Sequence, residues 1–235
     1  MPELNYSDAF VKDLFDRMGP TYDLVNRISS LGFCEIWRIQ CIRLAEIPQG
    51  AKVCDMMAGA GECWPYILRH TPSLVSIDFS RVMTEQQRIR NAKLKGIVDV
   101  RQETALQCSL ESASMDRVIC AFGLKTLDAE ATRQYAQEIW RILKPGGRFC
   151  LIEISTADDW FLAPVFHSYI NAIIPIVGKL LLGDIECYRM LGKYTRGFGS
   201  CENVAPIFKT CGFHISTHRH FYGCATSIVG IKPAA

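Results

Sequence analysis

The chain has 235 residues, 49% hydrophobic and 21% charged, with a formal net charge of +2. That length suits one α/β domain with an added lid, and a near-balanced charge with no long basic run gives little reason to expect nucleic acid as a partner. Eleven cysteines lie at scattered spacings without a Cys-x-x-Cys pair, and the opening MPELNYSDAFVKDLF has acidic residues in place of an export signal's apolar core. Reduced, mostly structural cysteines and a cytoplasmic location are therefore expected.

Residues 7–48 read as helical, with turns near Gly19-Pro20 and Gly32. From residue 51 the pattern changes. AKVCDMM is a buried strand, a glycine turn follows, and WPYILRH opens a helix. SLVSIDF (73–79) is the second strand, followed by the helix RVMTEQQRIRNAKLKG. VDVRQET (98–104) and MDRVICAFG (115–123) are the third and fourth strands. ATRQYAQEIWRILKPGG is a helix with a Pro-Gly-Gly stop, and RFCLIEIS (148–155) is the fifth strand. The most apolar stretch, WFLAPVFHSYINAIIPIVGKLLLG (160–183), is interrupted by Pro164, His167, Asn171, Pro175 and Lys179. It reads as broken helices lining a pocket rather than a membrane span. Shallow contact with a membrane surface stays open, and so does a homodimer. A polar helical stretch, the helix SCENVAPIFKTCG and the runs FHISTHRHFYG and CATSIVGIKP follow. The last two predict a terminal hairpin on the sheet edge.

Strands alternating with helices imply an α/β, doubly wound, mostly parallel sheet of seven strands with a C-terminal antiparallel hairpin, Rossmann-like, under an N-terminal helical lid. The expected division is a lid over 1–48, a ligand-binding core over 49–155, pocket helices over 156–200 and a terminal helix and hairpin over 201–235, all in one domain.

In such a sheet, ligands bind beyond the carboxyl ends of the strands, where the strand order reverses. Asp55 and Gly59-Ala60-Gly61 take that place after the first strand. The glycines let a ligand approach the backbone, and the following helix offers N–H groups. Asp78 ends the next strand, 23 residues on, placed to accept the hydroxyls of a ribose. A dinucleotide fingerprint wants a third glycine where Trp64 stands. S-adenosylmethionine, with a ribose and an ammonium but no phosphate, suits this turn better. Glycines for a tight turn and acidic helix caps remain the alternative.

With these residues in view, the chain resembles the ubiquinone/menaquinone C-methyltransferases, within the class I S-adenosylmethionine-dependent fold. The resemblance runs over nearly the whole chain, through FDRMGPTYDLVNRISSLGFCEIWR, VCDMMAGAGE, SIDFS, FGLKTL, RILKPGGRFCLIEIS and DIECYRMLGKY. It implies that Asp55, Gly59, Ala60 and Gly61 cradle the methionine part of the cofactor. Asp78 would hold the ribose, with Phe79 beside the adenine and Thr104 and Ala105 near its edge. Ala121 would border the methionine end, Phe122 is a further cofactor-binding position, and Tyr22 and Asn26 would belong to the lid. The chain departs from the family's pattern in several places. It has Ala58-Gly59-Ala60-Gly61-Glu62 for Gly-Gly-Thr-Gly-Asp, Thr104-Ala105 for Asn-Ala, Ala121 for Ser, and Lys125-Thr126 for Arg-Asn. Each change alters a hydrogen-bond partner worth roughly 0.5–1.5 kcal/mol net, which marks a divergent member.

The reading is an S-adenosylmethionine-dependent methyltransferase acting on a small aromatic or lipophilic acceptor, most like a quinol ring methylated at carbon. The alternatives are methylation of a natural product or lipid amine, and a non-catalytic binding module on the same fold. Methyl transfer depends on holding the acceptor and the methyl in line in a dry pocket. A base could take a phenolic proton; the candidates are His167, Tyr169, Asp184, Glu186, Tyr188 and Arg189. His167, within an apolar run, also reads as a core histidine. His214, His218 and His220 share parity on one strand, but their ligand count and geometry are undefined, and no metal is expected.

Overall fold

The computed structural model describes residues 4–18, 30–158, 160–170, 176 and 185–234. Two helices come first, α1 (Asp8–Met18) and α2 (Phe33–Ala45). Tyr22 and Asn26 lie outside the described residues.

The core alternates as the sequence predicts. Strand β1 (Val53–Met56) is buried at every position, as a strand covered by helices on both faces must be. A one-turn helix, α3 (Trp64–Ile67), leads to β2 (Leu74–Asp78), α4 (Arg81–Lys93), β3 (Val98–Gln102) and β4 (Met115–Ala121). A 3-10 turn (Leu124–Thr126) precedes α5 (Ala129–Ile142) and β5 (Leu143–Ile154). After these come α6 (Ala163–Ser168), α7 (Ile185–Phe198), α8 (Cys201–Thr210), β6 (His214–His220) and β7 (Ala225–Ile231). Side-chain caps start two of the helices. Ser80 Oγ accepts the Met83 N–H at α4, and the Asp128 side chain accepts the Ala131 N–H at α5.

The sheet has seven strands in the order β3-β2-β1-β4-β5-β7-β6. The pairs β1–β2, β1–β4, β2–β3 and β4–β5 are parallel, while β7 runs antiparallel to both β5 and β6. The terminal hairpin thus closes one edge. The chain steps outward from β1 to β3 and returns at β4, so the order reverses between β1 and β4. The crevice at their carboxyl ends is where such a sheet binds ligands. One core layer gathers Tyr135, Ile139, Phe149 and Phe208. The other gathers Trp37, Cys41, Trp64 and Ile67. A third, smaller cluster joins Val11, Leu14 and Met18 of α1 to Ala60, Met83 and Tyr194.

Two expectations are corrected. WPYILRH makes only one helical turn, because Pro72 disfavours a helical Thr71 and the chain must turn into β2; His70 and Thr71 donate back to the Ile67 carbonyl at 2.9 and 3.2 Å. The fifth helix stops at Ile142, ahead of Pro-Gly-Gly. Leu143 is already in β5, and Lys144–Gly147 occupy a register shift against β4. Gly146 there has φ +77°, and its N–H reaches the Lys232 carbonyl at 2.9 Å.

Candidate active site

The turn after β1 is built by backbone bonds. Ala58 N–H donates to the Ile77 carbonyl at 3.0 Å, and Gly61 N–H to the Ala58 carbonyl at 2.9 Å. Gly59 (φ +56°) and Gly61 (φ +83°) both adopt the left-handed conformation, which L side chains disfavour. For Gly61 the reason is packing. A Cβ there would stand 2.6 Å from Trp64 Cε2. The indole is fully buried and donates from Nε1 to Ser76 Oγ at 3.1 Å. The N–H groups expected to serve a ligand are engaged: Trp64 donates to the Gly61 carbonyl at 3.2 Å, and Tyr66 and Ile67 to the Cys63 carbonyl at 3.1 Å. The Gly59 N–H is engaged too, by Asp78 Oδ2 at 2.9 Å.

Around this turn lies a cleft of about 860 Å³, its open mouth included. Met57, Ala58, Gly59 and Glu62 form one wall, and Asp78, Phe79 and Met83 the next. Thr104, Ala105 and Leu106 follow from the end of β3, and Ala121, Phe122 and Gly123 from the end of β4. Val11 and Phe15 of α1 cover it, and Arg38 enters from α2. Asp55, Ala60 and Gly61 do not line the cleft. Asp55 is buried beneath it, Ala60 packs into the α1 cluster, and Gly61 serves Trp64.

The cleft is acidic. Asp78 is held by two backbone donors, Gly59 N–H and Ser80 N–H, each at 2.9 Å. Burial still lifts its pKa to about 7 against those bonds, with Glu62 and Asp16 adding to the rise. Asp16 reaches over from α1 and accepts from Ser80 Oγ. Asp55 is 0% exposed, and neither of its carboxylate oxygens has a hydrogen-bond partner among the described residues. Burial first, then Glu62, push its pKa well up, while Arg38 opposes them. A carboxylate left without donors is costly. Its place beneath a cleft lined by Glu62 and Asp78 fits a cationic ligand group above it, and Asp78 at the β2 end fits a pair of hydroxyls. S-adenosylmethionine carries both features, so the residues present fit this cofactor.

A second, almost wholly apolar cavity of about 940 Å³, also counted with its mouth, opens beside the first. Phe33, Cys34 and Trp37 of α2 line it, with Ile154 at the end of β5, Trp160, Phe166, Tyr169 and Phe221. Trp160 stacks on Tyr222 at 5.4 Å. Four residues on from Cys34, Arg38 lines the acidic cleft and stands 5.4 Å over the Phe122 ring. One helix therefore serves both spaces.

The predicted base candidates scatter. Tyr169 lines the apolar cavity, and burial raises its phenol pKa. His167 lines neither space; its Nε2 sits 2.6 Å from the Thr156 carbonyl and 3.6 Å from Asp158. Arg189 is exposed on α7. Glu186 and Tyr188 lie on that helix, though their side chains, like Asp184 as a whole, fall outside the described residues. His220 pairs with Ser227 Oγ at 2.7 Å and His218 with Ser216 Oγ at 3.3 Å. Among the described residues no three metal-ligating side chains gather, and no helix is long and apolar enough to cross a membrane.

Sequence reasoning overlooked Arg38, Phe15, Val11 and Glu153. The first three come from N-terminal helices whose place over the cleft is set by tertiary packing. Glu153 was legible only as a lone acid in an apolar strand, LIEIS, itself a sign of a buried partner.

The chain matches known proteins over most of its length. The ubiE/COQ5 methyltransferase family matches residues 3–232. A demethylmenaquinone methyltransferase of Lactiplantibacillus plantarum is 31% identical, over 95% of this chain and 96% of its own. A mitochondrial 2-methoxy-6-polyprenyl-1,4-benzoquinol methylase of Caenorhabditis elegans is 28% identical, over 95% of this chain and 80% of its own. Among solved structures, a S-adenosylmethionine-dependent methyltransferase of Thermotoga maritima, described as a possible histamine N-methyltransferase, superposes with TM-score 0.61 at 19% identity. It covers 94% of this chain and 98% of that one, a likeness of fold. The chain, with its crevice at the β1/β4 reversal, belongs to the ubiE/COQ5 methyltransferase family and is an S-adenosylmethionine-dependent methyltransferase.

Proposed function

We propose that this enzyme methylates a ring carbon of a quinol that bears an apolar substituent. The observation that carries the reading is the apolar cavity lined by Trp37, Phe33, Trp160 and Phe166 beside the cofactor cleft. A polar acceptor would lose its hydration there without compensation, whereas an aromatic ring with an apolar arm gains from burial. The activities for which the two relatives are named, on a demethylmenaquinone and a polyprenyl benzoquinol, support the same choice.

In this reading Asp78 accepts the ribose hydroxyls, Phe79 and Ala105 flank the adenine, and Glu62 with Asp55 behind it balances the positive methionine end. Ala121 and Phe122 border that end, while Gly59 and Ala58 form the wall beside it. Ala60 and Gly61 hold the turn from behind. When bound, the cofactor supplies an electrophilic methyl on a sulfonium. That methyl would go to a ring carbon of the quinol, which would give up its own proton in exchange. The titratable groups among the described lining residues of the apolar cavity are Cys34, Tyr169 and Cys224, and burial raises the pKa of all three. They stay protonated near neutral pH, so Tyr169 orients a quinol oxygen as a donor, and the single proton released leaves through the mouth of the cavity to solvent. The enzyme's contribution is alignment and exclusion of water.

The test incubates the protein with methyl-labelled S-adenosylmethionine and reduced benzoquinols and naphthoquinols carrying a hydrocarbon arm, and locates the label by mass spectrometry. Label on a ring carbon is expected. Intact cofactor binding with no label on any quinol would overturn the quinol acceptor and turn the search to lipid amines.

A further inference from the structure

The ion pair Lys125–Glu153 is the most deeply buried salt bridge among those described. Nζ stands 2.7 Å from Oε1, with the side chains 3% and 0% exposed. A buried pair seldom adds net stability over apolar residues, so its geometry needs another account. Lys125 Nζ also donates to the Phe122 carbonyl at 3.1 Å. The Glu153 carboxylate takes two further donors, Lys125 N–H at 3.1 Å and Ile154 N–H at 2.8 Å. The ammonium thus ties the end of β5 to the turn that follows β4.

That turn is strained and placed at the site. Phe122 has φ +69° without being glycine, a conformation the surroundings must enforce. Its N–H donates to the Ile152 carbonyl at 2.9 Å, and its ring lies against Arg38 in the cofactor cleft. The neighbouring Thr126 closes the same turn through Oγ1 to the Gly123 carbonyl at 2.7 Å. On its other side the pair meets the apolar cavity. Ile154, next to Glu153, lines that cavity, and so does Cys34, which feels the charges of both Lys125 and Glu153. The pair therefore stands in the partition between the two spaces, and Lys125 is the first of the two adjacent positions where this chain has Lys-Thr in place of the Arg-Asn of the family it resembles.

We propose that Lys125 is a positioning residue. By satisfying Glu153 and holding the Phe122 carbonyl, it fixes the strained turn that forms the cofactor cleft's wall toward the apolar cavity, and with it the alignment of methyl and acceptor. The assignment rests on the reading above, in which the acceptor occupies the apolar cavity. It predicts that removing the ammonium disturbs the reactive end of the bound cofactor and leaves the grip on the ribose intact.

The test uses S-adenosylmethionine labelled with carbon-13 at the sulfonium methyl, a readout that needs no acceptor. In Lys125→Met the bound methyl resonance is expected to move away from its wild-type position, while calorimetry gives close to wild-type affinity. Lys125→Arg, which restores charge and donors, should return the resonance toward wild type. With a quinol, kcat should fall about 10- to 100-fold in Lys125→Met, the scale set by a misplacement of about 1 Å, with KM for the cofactor little changed. Where Lys125→Met does not fold, Lys125→Met/Glu153→Gln removes both buried charges and carries the same measurements. A wild-type methyl resonance in the folded variant would overturn the proposal, as would an affinity loss equal to the loss of turnover. If the wild-type protein methylates no quinol, only the acceptor reading fails, because the resonance still reports on the wall.

Discussion

Gly61→Ala separates a glycine that serves the fold from one that serves the ligand. Gly61 has φ +83°, and an added Cβ would lie 2.6, 2.7 and 3.0 Å from three atoms of the Trp64 ring. The left-handed conformation costs an L residue about 1–2 kcal/mol. Forcing an extra carbon against a packed indole adds about 1–3 kcal/mol. The ring has little room to yield, since it is 0% exposed and bonded to Ser76. The sum is about 2–5 kcal/mol, which lowers Tm by several degrees at the least, at about 2–4 °C per kcal/mol for a domain of this size. Gly96→Ala is the control: φ is +74°, and nothing lies within 4 Å of its added Cβ, so it meets only the backbone cost. Calorimetric unfolding of both variants without ligand should show the larger loss for Gly61→Ala, with a changed tryptophan emission. Equal losses for the two, or a Gly61→Ala protein of wild-type stability that no longer binds S-adenosylmethionine, would refute the packing argument.

Asp78→Ala should weaken cofactor affinity by roughly 10²-fold or more, since charge-assisted hydrogen bonds are worth about 1.5–3 kcal/mol each; unchanged affinity by calorimetry would discard the ribose assignment. Because the Asp78 pKa is raised to about 7 from an ordinary 3.8, its protonated form favours the folded, ligand-free protein below about pH 4, and that contribution is lost as pH rises through about 7. Cofactor affinity should run the other way, gaining as Asp78 ionises between about pH 6 and 8; a flat profile from titrations across that range would remove the carboxylate from recognition. Cys34→Phe, which fills part of the apolar cavity, should raise KM for quinols with long hydrocarbon arms more than for short-armed ones, and equal effects on both would place the arm elsewhere.

The fold was legible because its signals are local. Each strand is a short apolar run bounded by turn residues, and the Asp55–Asp78 spacing marks one βαβ step. The same locality explains the failures. Whether WPYILRH continued as a helix depended on Pro72 and on the distance to β2, and the fate of Leu143 depended on pairing with Met115. The glycines were visible, but their purpose was not. A turn built for a ligand and one built around an indole three residues on read alike in one dimension, and only the Cβ position of Gly61 decides between them.

The site divides along the same line. Phe79, Thr104, Ala105, Ala121 and Phe122 lie at or just past strand ends, so a correct strand assignment carries them to the cleft. Arg38 and Phe15 belong to helices whose amphipathic pattern says that they pack but not over what. Lys125 and Glu153 are 28 residues apart, and β4 and β5 bring them together by parallel pairing. Once the sheet is known, a lysine just past β4 and a glutamate near the end of β5 must share a neighbourhood, and two opposite charges buried there must pair. The resemblance read from the sequence marks Lys125 as a departure. The sheet gives that departure a partner, and the strained Phe122 turn gives the pair its task.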